Sequence, residues 1–286
     1  MSQQSLANLA APLKDPGRRE GDSGGRVIEF PRTFPRSPLR YPGGKNRAVK
    51  SIYPLIPDHE KKLFSPFLGG GSIELACTTK MEVSAADIFE PLIAFWRVLL
   101  REPEKLAERV AVHYRLTRTE FYALQKRFVT LDDEVERAAA FFVLNRSSFS
   151  GTTLSGGMSP DHPRFTPSAI ERIRNFRVQN FHVEHAGFQE TIPNHADAFL
   201  YLDPPYLTKQ GLYGVRGDTH RTFDHKMLAD IMRERDRWIM SYNDCDEVRN
   251  LYKGYRILPI EWVYGMTKDK QSKEILILSP DVEVAA

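Results

Sequence analysis

The tetrapeptide Asp203-Pro204-Pro205-Tyr206 follows directly on the apolar run Ala198-Phe199-Leu200-Tyr201-Leu202. A buried strand ending in a carboxylate, two rigid prolines and an aromatic ring makes a small polar cup with a stacking wall. Proline suits the acceptor role because it has no N–H to compete and its φ is fixed. Such a cup fits a flat ring bearing an exocyclic amino group. Enzymes that act on a base first take it out of the duplex, then hold it by its edge and its face. The chemistry implied is methylation of a base amino group. A plain strand-end aspartate capping a turn is the alternative, but it requires neither the prolines nor the tyrosine.

A second group of residues lies upstream. Phe67-Leu68-Gly69-Gly70-Gly71-Ser72 comes directly after the apolar stretch Leu63-Phe64-Ser65-Pro66-Phe67. Glycines there let the backbone turn tightly and approach a ligand. Sixteen residues after Gly71 stands Asp87, at the end of a second strand, where an acid accepts hydrogen bonds from ribose hydroxyls. The glycines are adjacent rather than spaced as for a dinucleotide. A mononucleoside-like cofactor fits better, and S-adenosylmethionine has the ribose, the adenine and the charged tail. Further upstream, Arg40-Tyr41-Pro42-Gly43-Gly44-Lys45 offers backbone donors and a cation to a carboxylate.

Strands alternating with helices must position these groups. The pattern predicts strands at 63–67, 82–86, 181–183, 198–202 and 238–242, with two late strands, 255–258 (extending toward Tyr264) and 274–278, pairing as a hairpin. Apolar spacings of three and four predict helices over 90–101, 103–115, 118–128, 133–145 and 224–236. The stretch Ser147 to Pro167 reads as loop. This implies a mostly parallel sheet covered on both faces. About a hundred residues separate the second and third strands, which exceeds a simple crossover. The expected division is therefore a tail (1–37), a catalytic domain (38–102 and 178–286) and an inserted helical subdomain (103–177).

Composition sets the bounds. The 286 residues are 41% hydrophobic, enough for a real core, and carry 40 Lys/Arg against 37 Asp/Glu. Residues 1–40 hold seven of those basic residues and four of the acidic ones, a difference of three that equals the whole net charge of +3. Bulk charge alone therefore does not argue for nucleic acid; a local basic face is needed. Two cysteines, Cys77 and Cys245, give no disulfide framework and no metal-ligand spacing, which points to packing roles and a reducing, cytoplasmic setting. No metal is expected. No run has the length of a membrane span or the order of a signal peptide.

With these pieces in order, the chain resembles the Dam-like, alpha-group DNA adenine-N6 methyltransferases, the D12 class. Tyr41-Pro42-Gly43-Gly44-Lys45 is similar to the family's amino-terminal cofactor motif. Phe67-Leu68-Gly69-Gly70-Gly71 is similar to its Phe-x-Gly-x-Gly loop, and Asp203-Pro204-Pro205-Tyr206 to its catalytic motif. Leu144-Asn145-Arg146-Ser147-Ser148-Phe149-Ser150-Gly151 resembles the stretch before its DNA-reading hairpin. Fainter echoes are Thr222-Phe223-Asp224-His225 and Lys273-Glu274-Ile275-Leu276. The resemblance covers about residues 38 to 279. It implies a Rossmann-like, S-adenosylmethionine-dependent methyltransferase sheet with an inserted target-recognition subdomain. Duplex DNA is the implied partner of a monomer or homodimer, and a cognate restriction endonuclease is not specified. Catalysis falls to Asp203, Pro204, Pro205 and Tyr206. Cofactor contacts fall to Tyr41, Lys45, Phe67, Gly69, Gly71, Asp87, Ile88, Phe188 and Asp203.

The chain departs from GATC-specific members, which carry an arginine and a Phe-Asn-Val-Pro-Phe-Gly run where this one reads Thr152-Thr153-Leu154-Ser155-Gly156-Gly157-Met158-Ser159-Pro160-Asp161. GATC is therefore not the expected site. Gly187 also stands before Phe188 where the family commonly has an acid. Enzymes that methylate a protein glutamine usually carry Asn in place of Asp203.

Residues 145–180 hold Arg146, Arg164, Arg172, Arg174 and Arg177 against Asp161 and Glu171, a local excess that suits phosphate contact. The expected DNA-binding set is Asn145, Arg146, Ser147, Phe149, Arg164 and Arg172. Two other functions stay open on the residues alone. A cytosine-N4 methyltransferase would use the same cup, although motif order and Asp203 speak against it. A catalytically silent DNA-binding relative would show a broken motif, and none is broken here.

Overall fold

The structure is a computed structural model that describes residues 31, 33–159, 164–207, 223–260 and 274–283. Most of the expected tail, the strand extension to Tyr264, and Pro160, Asp161, Thr222 and Lys273 lie outside the described residues. By Ser37 and Leu39 the chain is already buried.

Among the described residues the strands are β1 (Lys62–Ser65), β2 (Glu82–Asp87), β3 (Phe181–His185), β4 (Phe199–Leu202), β5 (Trp238–Asn243), β6 (Arg256–Ile260) and β7 (Glu274–Leu278). The helices are α1 (Val49–Ile52), α2 (Ser72–Cys77), α3 (Glu90–Arg101), α4 (Pro103–Ala111), α5 (Arg118–Arg127), α6 (Glu134–Ser147), α7 (Pro167–Arg174), α8 (Phe188–Asn194), α9 (His225–Arg233) and α10 (Asp246–Leu251). The sheet order is β3-β2-β1-β4-β5-β7-β6. The first five strands pair parallel, while β7 runs antiparallel to both β5 and β6. The expected late hairpin is there, and the fold is a mixed α/β, Rossmann-like sheet.

The sheet works by period two. Phe199 and Tyr201 join one apolar cluster, while Leu200 and Leu202 join a second on the opposite face. All four are buried, as a central parallel strand requires. Chain order reverses between β1 and β4, since β2 and β3 build outward one way and β5 the other. The crevice beyond the carboxyl ends of those two strands is where such sheets bind ligands. The glycine loop leaves β1 there, and Asp203 leaves β4 there.

The chain between β2 and β3 forms α3 to α7. Helix α6 is buried nearly all round, from Val135 through Leu144, as a helix enclosed by its neighbours must be. The ring of Phe142 stacks on Phe95 of α3 at 5.8 Å and 10°. The apolar cluster on this face runs without a break from the sheet into these helices. The pairs Phe95-Trp96 and Phe141-Phe142 are core, as their runs suggest.

Several boundaries differ from expectation for physical reasons. The helix expected to reach residue 115 stops at Ala111. Arg115 takes a left-handed φ of 65°, and Thr117 opens a capping box for α5. Asp224 caps α9 by accepting from the Met227 N–H at 2.8 Å, which sets its start at His225. Strand β3 continues to His185, pairing Asp87 with His185. The loop 147–167 carries one tight helical turn, Phe149–Gly151, and a bridge between Ser148 and Met158. Cys77 is buried and Cys245 half-buried. Among the described residues no helix is long and apolar enough to cross a membrane.

Candidate active site

The crevice holds a cavity of about 280 Å³, near the lower end of small-ligand sites. Its floor is the loop after β1. Gly69 and Gly71 have φ of +47° and +65°, a region that side chains avoid. A Cβ at Gly69 would also press on the Tyr41 ring at 3.1 Å, and one at Gly71 on Trp96 at 3.0 Å. Asp87 braces this loop. One of its oxygens accepts from the Gly69 N–H at 3.0 Å and the other from Phe89 N–H at 2.9 Å. The Ile88 N–H also favours the charged carboxylate, and of about four acceptor sites on a carboxylate at least one is left for a further donor. Burial pushes the Asp87 carboxyl above the usual range, and the two N–H groups oppose that shift. Phe67, Phe188 and Phe223 meet pairwise with ring centroids 5.2–5.7 Å apart, forming a packed aromatic patch on the same wall.

The other end of the cavity is the cup. Lys45 is 4% exposed and lies 2.8 Å from Asp203 and 3.7 Å from Glu274. Its ammonium also donates to the Gly43 carbonyl at 3.0 Å and sits 4.9 Å over the Tyr206 ring. Tyr206 stacks on Tyr242 at 6.0 Å and 24°, and the Tyr242 hydroxyl is hydrogen-bonded to His225. Asn243 pins the strand end through both atoms of its amide. It accepts from the Leu207 N–H at 3.0 Å and donates to the Leu207 carbonyl at 3.2 Å. Burial raises the Asp203 carboxyl, and Lys45 holds it back down. Glu274, buried beside the same lysine, is pushed up to about 7 by burial.

The expected residues Tyr41, Lys45, Phe67, Gly69, Gly71, Asp87 and Ile88 line this one cavity together with Phe188, Asp203, Pro204, Pro205 and Tyr206. Two details differ from expectation. The Gly44 N–H turns back to the Tyr41 carbonyl at 3.0 Å, so that donor is not offered to a carboxylate. Lys45 is committed to Asp203, at the cup rather than at a ligand's tail. Sequence reasoning gave no role to Glu74, which lines the cavity and accepts from the Ser65 hydroxyl at 2.6 Å. Nor did it give one to Glu274. A lone acid inside each apolar run, Ser72-Ile73-Glu74-Leu75-Ala76 and Glu274-Ile275-Leu276, was the available signal.

The inserted helices treat their expected DNA contacts differently. Asn145 is fully buried. Its amide accepts from the Arg40 N–H at 2.9 Å and donates to the Arg40 carbonyl at 2.8 Å, to Gly151 O at 3.2 Å and to Thr153 Oγ1 at 3.1 Å. This clasp ties the loop to the irregular segment before Tyr41. Gly151 belongs to it, because a Cβ there would sit 2.0 Å from the Arg40 carbonyl oxygen. Ser147 is buried too. Asn145 and Ser147, expected at the DNA, are thus turned into the protein interior in this structure. Arg146 donates to the carbonyls of Arg164 at 2.9 Å and Pro38 at 3.5 Å. Burial and the neighbouring charges of Arg40, Arg172 and Arg164 lower its pKa to about 10. Arg164 and Arg172 are exposed, and the Phe149 ring is 65% exposed. Gln125, a residue no motif marks, holds the loop by donating to the carbonyls of Thr153, Leu154 and Gly156.

A doubly wound sheet with a glycine loop, a braced strand-end acid and an Asp-Pro-Pro-Tyr cup sharing one cavity defines a nucleotide-cofactor transferase. Residues 41–266 match the D12 class N6 adenine-specific DNA methyltransferases, and the chain belongs to that family. Similar proteins include a DNA adenine methylase of Vibrio cholerae, 29% identical over 242 residues that span 78% of this chain and 86% of that one. A Type II methyltransferase, M1.LlaDCHI, of Lactococcus lactis is 26% identical over 246 residues, with the same coverage of 78% and 86%. A DNA N-6-adenine-methyltransferase of Escherichia phage P1 is 26% identical over 256 residues, covering 82% of this chain and 34% of that protein.

Proposed function

We propose that this protein transfers a methyl group from S-adenosylmethionine to the exocyclic amino nitrogen of adenine in duplex DNA. The observation that carries the reading is the common cavity of Asp203, Tyr206, the glycine loop and Asp87. The residues fit the cofactor. Asp87 has acceptor capacity left for ribose hydroxyls, the three phenylalanines offer an apolar aromatic wall for adenine, and side chains at Gly69 or Gly71 would close the floor. When bound, S-adenosylmethionine supplies an activated methyl group on a sulfonium. The relatives named as adenine methylases support the same reading.

The chain's own residues have a defined task. An adenine amino nitrogen is a poor nucleophile, because its lone pair is delocalised into the ring. Asp203 is too weak a base to take its proton first. The Asp203 carboxylate and the Pro204 carbonyl instead accept the two amino hydrogens, which draws the nitrogen toward a pyramidal shape and stabilises the charge growing on it. Asp203 then receives the departing proton. Tyr206 supports the extruded base by stacking, worth on the order of 1–3 kcal/mol. Positioning and electrostatics of this kind supply much of a barrier reduction. Helices in residues 103–177 serve as the target-recognition part, with Arg164 and Arg172 on phosphates and Phe149 at the loop's outer face.

The test offers labelled S-adenosylmethionine and random-sequence duplex to the purified chain, then digests the DNA to nucleosides. N6-methyladenine is expected from the wild type. A folded Asp203→Ala variant should give about 100-fold to 1,000-fold less, and Asp203→Asn should keep part of the activity, since its amide oxygen still accepts. Labelled N4-methylcytosine, or undiminished transfer by Asp203→Ala, would overturn the reading.

A further inference from the structure

We propose that Glu74 is the counter-ion for the ammonium group of the cofactor's amino-acid tail. This rests on the reading of the cavity as the S-adenosylmethionine site. Helix α2 is buried at every position from Ser72 to Cys77, and Glu74 is its one ionisable acid. A carboxylate in such surroundings is costly unless a cation or several donors satisfy it. The Ser65 hydroxyl donates to it at 2.6 Å, and the backbone N–H groups of Ile73 and Glu74 offset part of the burial cost. Among the described residues no cation pairs with it. Burial raises it to about 7, and the negative charge of Asp203 adds to that. A group held at such cost, on the wall of a cavity, is set up for a positive ligand.

Elimination identifies which positive group. Four acids line the cavity: Glu74, Asp87, Asp203 and Asp224. Asp87 is committed to the Gly69 and Phe89 N–H groups at the ribose end. Asp203 faces Lys45 at the cup. Asp224 is exposed and caps α9. Glu74 sits in α2, which opens directly after the glycine loop, and is near enough to Asp203 to feel its charge. An ammonium carries three donors that a carboxylate can take as charge-assisted hydrogen bonds. A sulfonium carries none. The tail ammonium is therefore the group whose chemistry Glu74 matches.

Calorimetric titration of the full chain separates the possibilities. The ligands are S-adenosylmethionine, S-adenosylhomocysteine and 5′-methylthioadenosine, which lacks the amino-acid tail. Glu74→Gln keeps an oxygen for Ser65 and removes the charge. It should weaken the first two ligands roughly 10-fold to 100-fold and leave 5′-methylthioadenosine unchanged. Equal loss for all three, loss for the sulfonium ligand alone, or no loss at all overturns the assignment. If Glu74→Gln does not fold, Glu74→Met, which fills similar volume in an apolar helix, is read by the same criteria. Failure of the wild type to bind either tailed ligand would sink the cofactor reading itself, independently of any variant.

Discussion

Lys45 and Asp203 form the ion pair on which the proposed chemistry turns. The aspartate must be ionised to accept amino hydrogens, and burial works against that while the lysine works for it. A carboxyl with a raised folded-state pKa loses its charge as pH falls through that raised value. The acidic limb of kcat/KM for methyl transfer is therefore expected above the ordinary aspartate range. Lys45→Met removes the stabilising cation and should move that limb to still higher pH. A limb that stays put, or moves toward acid, would show that Lys45 does not set the charge of Asp203. Legibility at this scale was uneven. Asp203 and the glycines stand out because short motifs of unusual residues mark them. Glu74 and Glu274 do not, because one acid in an apolar run reads as a surface position until the fold shows both faces covered.

Elements explain where the proposed DNA contacts lie. Helix α7 starts at Pro167, a residue suited to a first turn, with Thr166 as its cap accepting from Ala169 N–H. This sets Arg172 outside, close enough to Arg164 and Arg40 for their charges to act together on Arg146. Arg146 itself is a brace on two carbonyls. Arg164→Ala and Arg172→Ala should each lower the salt slope of DNA binding by about 0.9, read as log affinity against log salt concentration. Arg146→Ala should cost affinity with a drop in melting temperature as well. A full-slope loss from Arg146→Ala alone, with Arg164 and Arg172 silent, would reverse these roles. The strands and long helices were legible from periodicity, and β4 from its unbroken apolar run. Helices α1, α8 and α10 were not, because four to seven residues give too little period to read. Asn145 was legible as a motif member, but sequence does not say that its side chain points inward.

The molecule as a whole is two apolar clusters on either side of one twisted sheet, with a crevice where chain order reverses. A mostly parallel sheet with a late hairpin was legible because strand and helix patterns alternate, whereas the strand order was not. What the sequence concealed was that one cluster spans sheet and insert alike, since runs such as that of α6 do not say which neighbour covers them. The clasp of Asn145 on Arg40 adds a polar tie across the same junction. Asn145→Ala leaves both Arg40 backbone groups without that partner. It should weaken S-adenosylhomocysteine several-fold, since each buried polar group left unmet costs about 1–3 kcal/mol. It should also reduce any tightening that added duplex brings, measured by titration with and without DNA. Unchanged affinity in both conditions would mean the tie is only scaffolding. Tyr41, the very next residue, is a wall of the donor's chamber. On the proposed reading, one peptide link joins the residue clasped by the target-recognition loop to the wall of the methyl donor's chamber. By reciprocity, whatever tightens the grip at one end is repaid at the other, so a poorly seated duplex would leave the donor loosely held.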